Sequence, residues 1–376
     1  MQKNCSSMIT INRPDIDEII FLSDIHFGVH SSSSEWIDNI SDYFYKWFIP
    51  YIKKEKKQHS PCLIIAGDYF DNRNHLDIQV LNTAFNVMKD VSKIIDVFFV
   101  IGNHDIYKTN DNSITSLKIF DTFKNVNVIY ELSELIVKND KKLLLISWVG
   151  NMTKENKLIT QYKDGYDFMV LHTELSGMTY DNNRPIVDGV NMNVVSDSCK
   201  IISGHIHKRQ EGKKGIYLGS PYHTMRSDID NIKGIYSYII EDDKIIQNFI
   251  ANDYSPRYIK VEYSSFGRDT KNWKDIVKNN YVDIYFNEED AEKINVNNFI
   301  NELQEYHPKG LQYFMNRKVV VLNEETASNE RLYHNDDIED VFNNKIPEFG
   351  LKKTEIKKLD AMNKCYIKKA EEELSK

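Results

Sequence analysis

The feature that most constrains this 376-residue chain is a series of short apolar runs, each ending in residues capable of chemistry. Ile19-Ile20-Phe21-Leu22 leads into Ser23-Asp24-Ile25-His26, and Cys62-Leu63-Ile64-Ile65-Ala66 into Gly67-Asp68. Val97-Phe98-Phe99-Val100-Ile101 leads into Gly102-Asn103-His104-Asp105. Phe168-Met169-Val170-Leu171 reaches His172, and Ile201-Ile202-Ser203 reaches Gly204-His205-Ile206-His207. Continuous apolar runs bounded by Gly and polar residues read as strands buried on both faces.

Helical spacing fills the gaps between the first three runs. Trp36, Ile40, Phe44, Trp47, Phe48 and Tyr51 recur along one stripe, and Leu76, Val80, Leu81, Phe85, Met88 and Val91 along another. Strands alternating with helices predict an α/β fold with a largely parallel sheet. Ligand sites in such sheets gather at the carboxyl ends of strands, where every polar motif lies.

Carboxylate, imidazole and amide oxygen are the donors that a pair of divalent cations needs. Asp68 has two oxygens and can offer one to each ion, and such a pair supplies both electrophilic stabilisation and a nucleophile at neutral pH. Gly67, Gly102 and Gly204 are expected where the chain turns sharply off a strand close to the ions. The Asp24-X-His26 and His205-X-His207 spacings predict two side chains on the same face of an extended segment.

Asp24-X-His26, Gly67-Asp68, Gly102-Asn103-His104-Asp105, His172 and Gly204-His205-X-His207 together resemble the signature blocks of calcineurin-like metallophosphoesterases. The resemblance implies an αββα sandwich. It also implies one metal held by Asp24, His26, Asp68 and His207, and another by Asp68, Asn103, His172 and His205. His104 would protonate the leaving oxygen as the catalytic acid, with Asp105 tuning its charge.

The formal net charge of −8 argues against a protein that binds DNA by charge alone, although bound cations add local positive charge that composition does not count. Cys5, Cys62, Cys199 and Cys365 form no CxxC pair, and no run of 18 apolar residues occurs. A soluble, cytoplasmic protein without a membrane segment is therefore expected. The metallophosphoesterase domain is expected over residues 1–250. Residues 251–323 read as a small α+β capping domain, with strands near 258–263, 281–286 and 318–322 and helices near 273–278 and 291–306. Residues 324–376 read as a linker and two amphipathic helices, carrying Ile338, Val341 and Phe342, then Ile356, Leu359, Met362 and Tyr366.

Gly67-Asp68-Tyr69-Phe70-Asp71 and the sequence after His207 are similar to the SbcD-type nucleases of double-strand break repair and phage recombination. That similarity implies a Mn²⁺-dependent DNA exonuclease or single-strand endonuclease, dimeric, whose C-terminal helices bind an SbcC-like coiled-coil ATPase. This chain has no GxxxxGK[ST] phosphate loop of its own. Two alternatives stay open: a nucleotide or cyclic-nucleotide hydrolase with the cap as its lid, and a scaffold with a degenerate metal site. Tyr69 and Phe70 are expected to wall the cleft and His30 to lie in a solvated loop.

Overall fold

A computed structural model describes residues 8–316 except 109, 110 and 243. The expected strand at 318–322 and both C-terminal helices lie outside the described residues. The five motif-bearing runs are strands β1 (Glu18–Leu22), β2 (Pro61–Ala66), β3 (Asp96–Val100), β4 (Phe168–His172) and β5 (Lys200–Gly204).

These strands are divided between two sheets. The first three lie parallel in a six-stranded sheet, with Val126–Ile129 beyond β3 and Gly234–Glu241 antiparallel to β1. The last two lie parallel in a seven-stranded sheet, between Lys142–Leu145 and Gly215–Tyr217.

Strand alternation explains why the runs are apolar throughout. Ile19, Phe21, Ile64, Phe98 and Val100 face the other sheet, meeting Leu143, Leu145, Phe168, Val170 and Ile202 in a shared central layer. Ile20, Leu22, Leu63, Ile65, Val97 and Phe99 face outward onto helices. Met169, Leu171 and Ile201 do the same on the far side. The result is the expected α/β architecture, an αββα sandwich.

The stripe from Trp36 to Tyr51 forms one helical rod, Ser34–Asp42 and Ile49–Glu55 joined by a π-helical segment at Tyr43–Phe48. Pro50 follows that segment and has no N–H to donate to the preceding turn. A local shift of hydrogen-bond register accommodates it. Ile78–Ser92 starts on Asp77, whose carboxylate accepts from the backbone of Gln79 and Val80.

Residues 258–316 carry a parallel sheet in the order Tyr258–Glu262, Tyr281–Asn287, Gly310–Asn316. Its third described strand thus precedes the expected 318–322. The single helix expected over 291–306 is two, Glu288–Lys293 and Val296–Gln304. Ile294 is extended between them, and the Asn295 side chain caps the second. Tyr281 stacks on Trp36 at 5.8 Å between ring centres and on Tyr258 at 4.6 Å. Arg226 grips Asp283 with two hydrogen bonds of 2.7 and 3.2 Å. This three-stranded sheet therefore rests on the helix that follows the first motif.

Phe120 is fully buried behind the second motif, stacked on Phe99 at 5.3 Å and edge-on to Tyr69 at 5.4 Å. Replacing it with Ala is expected to cost about 3–5 kcal/mol of stability, as Phe truncations in packed cores do. Urea denaturation checks this; a loss under ~1 kcal/mol would mean that the site loop does not depend on this cluster.

Candidate metal centre

Beyond the strand ends, the loops remain paired backbone to backbone. Asp24 N donates to Gly67 O at 3.1 Å, His26 N to Asp68 O at 3.1 Å and Phe27 N to Tyr69 O at 2.9 Å. Within this ladder the chain turns left-handed at Asp24 (φ 52°), His26 (φ 52°) and Asp68 (φ 54°), and again at His205 (φ 85°). Such angles are uncommon outside glycine and cost energy that the surrounding structure must offset.

The left-handed turns mean that neither Asp24-X-His26 nor His205-X-His207 is an extended segment, although Asp24 and His26 still reach one cluster. His205 and His207 instead diverge into different clusters. Gly67 is needed for both angle and space, since at φ +90° an added Cβ would lie 2.2 Å from His172 Nδ1.

Side chains from all five loops converge. Asp24, His26 and His207 place donor atoms within 4.8 Å of one another, and so do Asp68, His172 and His205. Asn103 joins the second group, its Oδ1 lying 3.0 Å from both His172 Nε2 and His205 Nδ1. Asp68 bridges the groups, with Oδ2 3.1 Å from His172 Nε2 and 3.8 Å from His26 Nε2.

The donor set fits cations. Asp24 Oδ2, His26 Nε2 and His207 Nδ1 are buried without a hydrogen-bond partner, a costly state unless something charged joins them. Burial disfavours charge on His172, but the Asp68 carboxylate outweighs it and raises the imidazole to about 9. His172 Nδ1 lies 2.8 Å from Ala66 O, which orients the ring so that Nε2 faces the cluster.

His104 lies half-buried beside this centre, its ring 5.0 Å from that of His26. Its Nδ1 meets the carbonyl of Asp71, and its backbone N–H donates to Asp68 Oδ1 at 2.8 Å. Asp105, expected to tune the charge of His104, also holds backbone. Its buried carboxylate accepts backbone N–H groups from Asp68, Tyr69, Phe70 and Gly102 at 2.9–3.2 Å. It clamps the second and third motif loops together.

Several supporting residues carried no signal of their own in the sequence. Asp71, noted only as part of a motif, lies 3.2 Å from His26 Nδ1 and forms a further possible ligand group with His26 and His104. Glu174 stands 3.9 Å from His205 Nε2. Lys233, buried, donates to the His207 carbonyl at 2.6 Å and pairs with buried Asp228 at 2.6 Å. Burial opposes charge on Asp228, yet Lys233 and nearby N–H groups outweigh it and hold the carboxyl below its usual range. Tyr69 and Phe70 are fully buried core rather than cleft wall. His30, though exposed, stacks on Trp36 at 4.5 Å and contacts the Thr224 carbonyl at 2.7 Å.

Because His172 keeps its proton below about 9 in the metal-free protein, cation uptake at neutral pH must displace that proton. Affinity for Mn²⁺ should therefore weaken as pH falls from 9, by roughly tenfold per unit for one released proton. Calorimetry in buffers of different ionisation enthalpy reads both quantities. A constant affinity between pH 6 and 9 with no proton release would contradict this account.

Comparison with known proteins agrees with the geometry. The model of the calcineurin-like phosphoesterase family matches residues 18–209, which include every residue of both ligand groups. Exonuclease subunit 1 of Enterobacteria phage T4 is 25% identical over 261 residues, covering 66% of this chain and 74% of the phage protein. Protein 078R of Invertebrate iridescent virus 3, named as a phosphoesterase, is 22% identical over 237 residues, 60% of this chain and 63% of that one. Protein 244L of Invertebrate iridescent virus 6, also so named, is 25% identical over 247 residues, 61% and 78% of the two chains. Five converging loops, orphaned buried donors and a family match over half the chain lead to one conclusion: this protein belongs to the calcineurin-like phosphoesterase family.

Proposed function

We propose that this protein is a two-metal DNA nuclease, the phosphodiesterase subunit of an SbcCD-like repair and recombination complex in the cytoplasm. The observation that carries the reading is the placement of His104 beside two candidate ligand clusters, in a chain related to a phage exonuclease subunit. Asp24, His26, Asp68 and His207 would hold one divalent cation, and Asp68, Asn103, His172 and His205 the other, with Mn²⁺ suited to this oxygen and imidazole set. Such ions polarise a phosphodiester and provide a nucleophile from water.

His104 supplies the proton. Its Nδ1 contact with the Asp71 carbonyl fixes the ring, leaving Nε2 to donate to the departing sugar oxygen. Asp105 keeps the loops of Asp68 and His104 in register, and Glu174 and Asp71 orient ligand imidazoles.

The proposal includes a homodimer. Ile78, Leu81, Phe85 and Ile119 line an open apolar groove, and Ile78 is 83% exposed. An exposed apolar patch of this kind suits a twofold contact. The coiled-coil ATPase partner would engage the C-terminal segment, which lies outside the described residues. Among the described residues no helix is long and apolar enough to cross a membrane.

Purified protein with Mn²⁺ should cut a single-stranded oligonucleotide. Hydrolysis of nucleotides or cyclic nucleotides without cutting the oligonucleotide would replace the nuclease reading with a small-substrate phosphoesterase. His104→Ala should bind Mn²⁺ as tightly as wild type while losing about 10²–10⁴-fold in cleavage rate; wild-type cleavage would remove the acid assignment. Ile78→Glu should convert a dimer to monomer in sedimentation analysis, and an unchanged mass would place the contact elsewhere. Deleting residues 335–376 should leave cleavage intact and abolish partner binding.

A further inference from the structure

One aromatic residue at the centre has no part in the metal or proton chemistry. Trp148 follows the Lys142–Leu145 strand, and its backbone N–H donates to Ile101 O at 2.8 Å, beside Gly102-Asn103. Its ring centre is 5.4 Å from that of His205, tilted 38°, and 6.1 Å from that of His172. A half-buried indole thus borders two imidazoles of one ligand group. Of the other tryptophans, Trp36 and Trp273 are buried in the fold and Trp47 packs on the outer helical layer.

A second apolar element adjoins it. The antiparallel strands Ile106–Lys108 and Asp111–Thr115 rise directly from the third motif. Their base is tied to the Asp105 carbonyl by Thr115 Oγ1 at 2.7 Å and Ser116 N at 2.9 Å. Asn112 Nδ2 donates to the Trp148 backbone carbonyl at 3.0 Å, joining the strands to the segment that carries the indole. Just beyond the paired Ile106 and Thr115, Tyr107 is 52% and Ile114 57% exposed. Large apolar side chains exposed on strands that leave the third motif have nothing to gain from a bare phosphate.

Resting on the nuclease reading, we propose that Trp148 is a specificity-determining residue: it stacks on an unpaired nucleobase next to the scissile phosphate, with Tyr107 flanking that nucleotide. Base–aromatic stacking tolerates any sequence, because every base has a π-face. It also requires that the base be out of its duplex, so the ledge selects single-stranded or frayed ends. The acidic chain gains from it a source of affinity that does not depend on a basic surface.

The test uses the full chain in Ca²⁺ and a ten-nucleotide thymidine strand with phosphorothioate linkages. Binding should quench tryptophan emission in wild type but not in Trp148→Phe, where the ring that is quenched is gone. By anisotropy of the labelled strand, Trp148→Ala should bind roughly tenfold or more weakly. Trp148→Phe should return to within about threefold of wild type, and Tyr107→Ala should show a smaller loss. Quenching that persists in Trp148→Phe, or wild-type affinity in Trp148→Ala, would overturn the proposal. So would a loss in Trp148→Ala that Phe does not restore, since that marks a purely structural wall. If wild type neither binds nor cuts the strand, the nuclease reading itself fails, a distinct result.

Discussion

A buried carboxylate between imidazoles is the interaction on which this protein depends. Asp68 is 2% exposed, sits on a left-handed backbone, and lies within 4 Å of nitrogens from both His26 and His172. Neither its burial nor its backbone angle is favourable alone. Both persist because Asp105 holds the loop by its N–H groups and because the aromatic cluster around Phe120 fills the space behind it. Removing one partner from such a site leaves an uncompensated charge, so its parts stand or fall together.

The sandwich makes that arrangement affordable in conformational terms. Parallel strands from both sheets end at one edge, so each contributes a loop without further travel of the chain. The sheet-to-sheet layer is apolar throughout, which gives the polar loops a rigid base. A rigid base matters because ligand groups must be held to fractions of an ångström before any ion arrives.

The three-stranded sheet and the motif loops share a connector. The segment from Thr224 to Lys233 touches His30 after the first motif, holds the His207 carbonyl through Lys233, and reaches Asp283 of that sheet through Arg226. Sheet and motif loops are thereby parts of one hydrogen-bonded unit, although they are remote in sequence.

Much of this was legible in the residues themselves. Apolar runs ending in Asp, Asn and His are determined by local chemistry: strand burial sets the run, and the strand end sets where ligands can be. The α/β class followed from that order, and the family from the resemblance of the motif blocks. The left-handed turns at Asp24 and His26 were not legible, since period-two spacing describes only extended backbone and the turns exist through hydrogen bonds to a loop some forty residues away. Nor were the clamp role of Asp105, the buried Lys233–Asp228 pair, or the nearness of Trp148 to His205. Each depends on which distant segments share a space, and that is decided only when two sheets close over a common core.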